Sequence, residues 1–212
     1  MADVTVFGAA YSVYARSVRL ALEEKRVPYR LEEVDVFGPG GAPADHLARH
    51  PFGRIPAFRH GDFALYETGA INRYVDEVFS GPPLQPRDVR LRARMNQVLS
   101  ILDSYAYRTL VWDIFVERVR VPARGGSSDE ARIAAALPKA EICLRALAEL
   151  SADHAWFAGP ELTLADLHAA PMFAYFTQAP EAEGLLRPHA RLREWWERVS
   201  VRESMKRTQP RF

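Results

Sequence analysis

At 212 residues the chain can hold one large domain or two modest ones, each with ample core. A formal charge of +1 with 26% charged residues gives no global field to draw nucleic acid or an acidic surface. The single cysteine, Cys143, excludes an internal disulfide and a C-x-x-C redox centre, and its apolar helical setting reads as core. No apolar run reaches transmembrane length, and Met1-Ala2-Asp3 leads straight into strand character without a signal-peptide pattern. A soluble, cytoplasmic chain is expected.

VTVF at 4–7 is a short β-branched and aromatic strand. A helix follows from Ser12 to Lys25, with Val18, Ala21, Leu22 and Lys25 on related faces. YRLEEVDV at 29–36 returns as a strand, and two glutamates in its apolar run place it at or near a sheet edge. FGPGGAP at 37–43 is a loop, and DHLARH at 45–50 can make a helical turn or two before Pro51.

His50 to Val78 then reads as loop, strand, tight turn, strand and helix. A proline is awkward at the start of the strand PAF, and X-Pro bonds alone adopt cis at modest cost, so Ile55-Pro56 is expected to be cis. His60-Gly61-Asp62 turns the chain between PAFR and FALY. Thr68 is a natural N-cap for a helix whose apolar face carries Ile71, Tyr74, Val75 and Val78. Glu67-Thr68 thus sits where a helix N-terminus invites a carboxylate, next to a backbone at Ile55 able to pair with a small peptide. A plain hairpin followed by a capped helix accounts for the same residues.

SGPPLQP at 80–86 is a linker, so the expected domains are 1–79 and 87–212. Beyond it only helical patterns remain. The first runs from about Arg87 to Val121, with Leu91, Met95, Val98, Leu102, Tyr105 and Thr109 along one face. GGSSDE breaks the chain before a helix ending near Ser151. LTLADLHAAPMFAYF begins with Thr163 and Asp166 in an acidic capping-box spacing, and Pro171 should kink or shorten that helix. HARLREWWERVS is the last clear helix, and the tail TQPRF is expected to be loose. Arg87, Arg90, Arg92 and Arg94 lack interleaved aromatics and read as a solvated or subunit-facing surface, not a nucleic-acid patch. His46 and His50 have the i,i+4 spacing of a metal pair, but no third ligand is apparent and no metal is expected.

The β-α-β-α-β-β-α order with Ile-Pro before the hairpin, joined to an all-helical half, resembles the soluble glutathione transferases. The resemblance spans nearly the whole chain, through VFGAAYSVYARSVRLALEEK, HPFGRIPAF, LYETGAINRYV, LTLADL and RPHARLREWWERVS. The N-terminal spacing is most similar to the serine-type, phi-class enzymes. It implies a thioredoxin-like α/β domain plus an all-α domain, glutathione as co-substrate without a further cofactor, a small hydrophobic electrophile, a detoxification role and a homodimer. By resemblance, Ser12 faces the thiol, Ile55 pairs with the cysteinyl backbone, and Glu67 and Thr68 grip the γ-glutamyl end. Trp112 and Phe115 fall where the family binds the electrophile, although aromatics at such spacing also build cores. Phe52 follows the position whose ring inserts into a partner subunit, and burial in its own domain fits equally well.

A serine hydroxyl is too weak a base to take a thiol proton, but it can donate to a thiolate. Ser12 could instead serve only as a helix cap, and Tyr11 and Tyr14 are rival hydroxyls. Four positions depart from the family. Ser17 stands where serine-type relatives often carry arginine, with Arg16 or Arg19 as possible substitutes. Gly41 and Ala42 replace the basic pair that holds the glycyl carboxylate, and Arg54 replaces an amide. Arg54 can bind a carboxylate bidentately and take over part of that grip, or it can be a plain surface charge. These departures keep open a catalytically silent binding or assembly module, and a glutathione-dependent isomerase is a further alternative.

Overall fold

A computed structural model describes residues 3–151 and 154–210. It divides into two compact units. The first takes in residues up to Gln85 and those from Arg202 onward; the second is Pro86–Val201.

In the first unit, β1 (Val4–Gly8) is buried along its whole length and forms the centre of a four-stranded sheet of order β2-β1-β3-β4. β2 (Arg30–Glu33) runs parallel to it, Val6 opposite Leu31, and occupies an edge as its glutamates implied. β3 (Ala57–His60) pairs antiparallel on the other side, Val6 opposite Phe58. A two-residue turn, with Gly61 at φ 60°, then leads to β4 (Phe63–Tyr66) on the far edge. α1 (Val13–Glu24) and α3 (Thr68–Val78) pack together, and α2 (Ala44–Leu47) is a single turn. The Ile55–Pro56 bond is cis.

Lys25, at the end of α1, is buried and donates to Asp76 Oδ1 at 2.9 Å and to the Pro82 carbonyl at 3.1 Å. Asp76 also accepts from the Leu84 N–H at 2.8 Å, and Leu84 is buried. The proline-rich segment is therefore tied down on the first unit.

The C-terminal segment differs from expectation. α10 (Glu203–Arg207) packs on α1, and Thr208, expected in a loose tail, is fully buried. Buried guanidiniums hold it there: Arg16 Nη2 donates to the Met205 carbonyl at 3.0 Å and Arg16 Nε to Thr208 Oγ1 at 3.3 Å. Arg211 and Phe212, the end of that tail, lie outside the described residues. Arg202 also grips Glu24 with two bonds of 2.8 and 2.6 Å, and the Ser204 hydroxyl donates to the same carboxylate.

Burial raises the Glu24 pKa, but the bonds from Arg202 and Ser204 outweigh it and hold the carboxyl below its ordinary range. A depressed folded-state pKa stabilises above the unfolded value of about 4.3 and is lost as pH falls through the folded value. Limited proteolysis should therefore release the segment from Arg202 as pH drops below this range. In Glu24→Gln, cleavage should already be fast at neutral pH and vary little with acid. Equal cleavage of both proteins at every pH would refute the pairing.

In the second unit, α4 (Val89–Ile101) starts two residues later than expected, where Asp88 accepts from the N–H groups of Arg90 and Leu91, each at 2.9 Å. The helix continues through Leu102–Arg120 with π winding and ends in α5 (Val121–Ala123). The wider turn shifts the buried stripe to Leu102, Ala106, Leu110 and Ile114. Tyr105, expected on that stripe, is instead 62% exposed. α6 (Glu130–Ser151), α7 (Leu164–Phe176), α8 (Glu181–Leu186) and α9 (Ala190–Ser200) complete the unit. α7 carries Pro171 without being cut short and opens with the expected capping box of Thr163 and Asp166. No helix among the described residues is long and apolar enough to cross a membrane.

Candidate active site

Gly8 ends β1 where a Cβ would lie 2.9 Å from the Ala15 Cβ, so only glycine lets α1 approach this closely. The next loop is braced by Glu33, both of whose carboxylate oxygens accept from the Ala10 N–H at 3.2 Å. Nothing in the sequence marked Glu33 beyond an interruption of a strand. The loop delivers Ser12 to the N-terminus of α1, where its Oγ accepts from the Ala15 N–H at 3.2 Å. That bond makes Ser12 the helix cap. It uses an oxygen lone pair and leaves the hydroxyl hydrogen to donate elsewhere. Tyr11 and Tyr14 are half-buried, and the Tyr11 ring packs near Phe37 at 6.4 Å.

Ser17 is fully buried and accepts from Asn72 Nδ2 at 3.0 Å, joining α1 to α3. Arg16 and Arg19 do not substitute for an arginine there. Both are buried and turned to the C-terminal segment, Arg19 also donating to the Tyr29 hydroxyl at 3.1 Å.

Ile55 is half-buried with its side chain packed against Phe7, Val34 and Ala57. Arg54 is exposed, and its guanidinium has no carboxylate partner among the described residues. The Arg54 carbonyl is held by His46 Nε2 at 2.7 Å. Gly41 is exposed with open space around it, and Ala42 lies beside Gly53. No basic side chain stands at either position.

Thr68 is the first residue of α3 rather than its cap. The cap position belongs to Glu67, exposed and held at φ 70°, ψ 113°. A left-handed glutamate is costly, by about 1–3 kcal/mol, and such residues gather at functional sites. The Glu67 side chain makes no cap hydrogen bond, and among the described residues the first N–H groups of α3 stay available to an anion. Burial pushes the nearby His50 imidazole down; the Glu67 carboxylate opposes this, while His46 and Arg54 add to it. Glu67, Arg54 and His50 thus share one electrostatic neighbourhood. The rings of His46 and His50 lie 6.2 Å apart, and no third metal ligand joins them among the described residues.

The other two candidates lie in the helical unit. Trp112 is half-buried. Phe115 is 2% exposed and stacked on Tyr175, ring centroids 4.5 Å apart, which makes it a core residue.

The mixed sheet and its flanking helices define a thioredoxin-like domain, followed in the same chain by an all-helical one. The family description "Glutathione S-transferase, N-terminal domain" matches residues 6–83, and "Glutathione S-transferase, C-terminal domain" matches residues 95–203. The chain belongs to the glutathione S-transferase family. The probable glutathione S-transferase GSTF1 of Oryza sativa subsp. japonica is 31% identical over 210 residues, covering 98% of this chain and 95% of its own. Glutathione S-transferase 3 of Zea mays is 26% identical over 208 residues, covering 98% and 94%. The solved structure of glutathione S-transferase III in apo form matches with a TM-score of 0.85 at 28% identity, over 97% of this chain and 95% of that one. Fold and family together support glutathione transferase function, an enzyme's, and the similarity is to phi-class members as the spacing near Ser12 implied.

Proposed function

We propose that this transferase activates the glutathione thiol for attack on a small hydrophobic electrophile, in a cytoplasmic detoxification role and without a further cofactor. The carrying observation is the left-handed Glu67 at the uncapped start of α3. Such strain has a use if a ligand's charged end must meet both the carboxylate and the free N–H groups. The α-amino and α-carboxylate groups of a γ-glutamyl peptide are such an end. Thr68 supports the carboxylate, Ile55 pairs with the cysteinyl backbone, and Arg54 is the cation for the glycyl carboxylate. Ser12 donates its hydroxyl hydrogen to the thiolate, helped by the positive end of α1. Trp112 offers the aromatic wall for the electrophile, with Phe115 packed in the core of the same unit. The chain works as a homodimer: Phe52 is 69% exposed, and the arginines from Arg87 to Arg94 are all exposed.

A second reading, binding without turnover, is favoured by the missing basic side chains at Gly41 and Ala42 and by the diversion of Arg16 and Arg19. One set of measurements decides. Calorimetry with glutathione should show binding, and a panel of several electrophile classes should show turnover of at least one. Sedimentation at micromolar concentration should show a species of twice the 23.9 kDa chain mass. Binding with no turnover supports the second reading, no binding overturns both, and a monomer alone overturns the dimer.

A further inference from the structure

We propose that His46 is a positioning residue for thiol-peptide binding, its buried Nε2–H clamping the Arg54 carbonyl and thereby setting the direction of the Ile55 N–H. The inference rests on the assignment of Ile55 to backbone pairing with the ligand.

His46 is fully buried on α2, and its Nε2 lies 2.7 Å from the Arg54 carbonyl oxygen. A carbonyl can only accept, so the ring donates from Nε2. Its Nδ1 is buried and has no partner, as the bare lone pair of a neutral Nε2–H tautomer would be. The ring is itself held by its backbone. The His46 N–H donates to the Pro43 carbonyl at 2.9 Å, and the His46 carbonyl accepts from the N–H groups of Arg49 and His50 at 2.9 and 2.8 Å.

The Arg54 carbonyl and the Ile55 N–H belong to one trans peptide plane, where they point in opposite directions. Fixing the carbonyl toward the buried ring therefore turns the Ile55 N–H away from it. No protein group takes that N–H among the described residues. The Ile55 side chain is pinned separately by Phe7, Val34 and Ala57. Side chain and peptide plane are thus fixed from two sides, and one backbone donor is left for a ligand. A preset donor binds without first losing rotational freedom, so the clamp acts on affinity and leaves the thiol chemistry at Ser12 untouched.

The test uses the full chain. In the ligand-free protein, imidazole nitrogen resonances should show His46 as the neutral Nε2–H tautomer. His46→Met removes the donor at similar bulk, and loss of one such hydrogen bond should raise the Kd and KM for glutathione roughly three- to tenfold. Its kcat and the midpoint of its pH–rate profile should match wild type. His46→Gln keeps an N–H able to reach the same carbonyl and should stay within about twofold of wild type. An unchanged Kd in His46→Met, or an equal loss in His46→Gln, overturns the clamp. If wild type fails to bind glutathione, the proposed function falls, and the ring spectrum still decides the clamp: a proton on Nδ1 overturns it, whether or not the variants fold.

Discussion

Replacing Ser12 by alanine is expected to lower turnover at neutral pH on the order of tenfold to a hundredfold and to move the pH–rate midpoint upward. A hydrogen bond to a charged partner contributes about 1.5–3 kcal/mol, and each pKa unit corresponds to about 1.4 kcal/mol, so the midpoint should rise by roughly one to two units. The sign follows from which form the proposed role favours: a hydroxyl that stabilises the thiolate leaves, on its loss, a thiol harder to ionise. The structure adds a second, separable effect. Ser12 Oγ also accepts from the Ala15 N–H at 3.2 Å, so the same variant loses a cap and about 0.5–2 kcal/mol of stability. A lower melting temperature alone therefore says nothing about the thiolate. Thr68→Ala supplies the contrast, because its proposed role is at the γ-glutamyl end: its KM for glutathione should rise while its midpoint stays. Profiles of rate against pH for both variants decide the matter. A destabilised Ser12→Ala enzyme with an unmoved midpoint would leave Ser12 as a cap and nothing more.

The largest expected loss of stability lies in the helical unit. Asp166 is fully buried and accepts four hydrogen bonds. The N–H of Phe157 and the indole of Trp195 reach Oδ1 at 2.9 Å, and the N–H and hydroxyl of Thr163 reach Oδ2 at 2.8 Å. Asp166→Ala strands these donors in a dry interior, and removing one partner from such a buried set costs about 3–5 kcal/mol. Urea unfolding followed by tryptophan fluorescence should show the shift, with Asp166→Asn recovering part through its remaining acceptor oxygen. A loss in Asp166→Ala below about 1 kcal/mol, the size of a surface change, would refute the account. Acid should act on this residue in the opposite sense from Glu24. Burial raises the Asp166 pKa against the pull of its donors, so protonation favours the folded chain at this site.

Features set by short-range chemistry were legible in the sequence. The Ile55-Pro56 geometry, the Gly61 turn, the cap at Ser12 and the box at Thr163 and Asp166 each depend on neighbours within a few residues. The failures share a different cause. No side-chain pattern announces that Glu67 adopts φ 70°, because a glutamate has no intrinsic taste for that region, so the cap was placed one residue late on Thr68. Tyr105 was misplaced because a count at 3.6 residues per turn loses phase where the helix widens. Phe115 and Trp112 were indistinguishable by spacing, and it is the Tyr175 ring, 60 positions from Phe115, that places Phe115 in the core. Thr208 looked like frayed tail because its partner Arg16 lies 192 positions away.

That last pairing makes the helical unit, Pro86–Val201, an insertion into the thioredoxin-like one, which the chain leaves at Gln85 and re-enters at Arg202. A fragment ending at Gln85 would lose the Met205 and Thr208 carbonyls that accept from Arg16 and Arg19, along with the segment that packs on α1. The thioredoxin-like unit is therefore discontinuous in sequence: cutting the chain at either junction removes part of what it packs on, residues up to Gln85 needing those from Arg202.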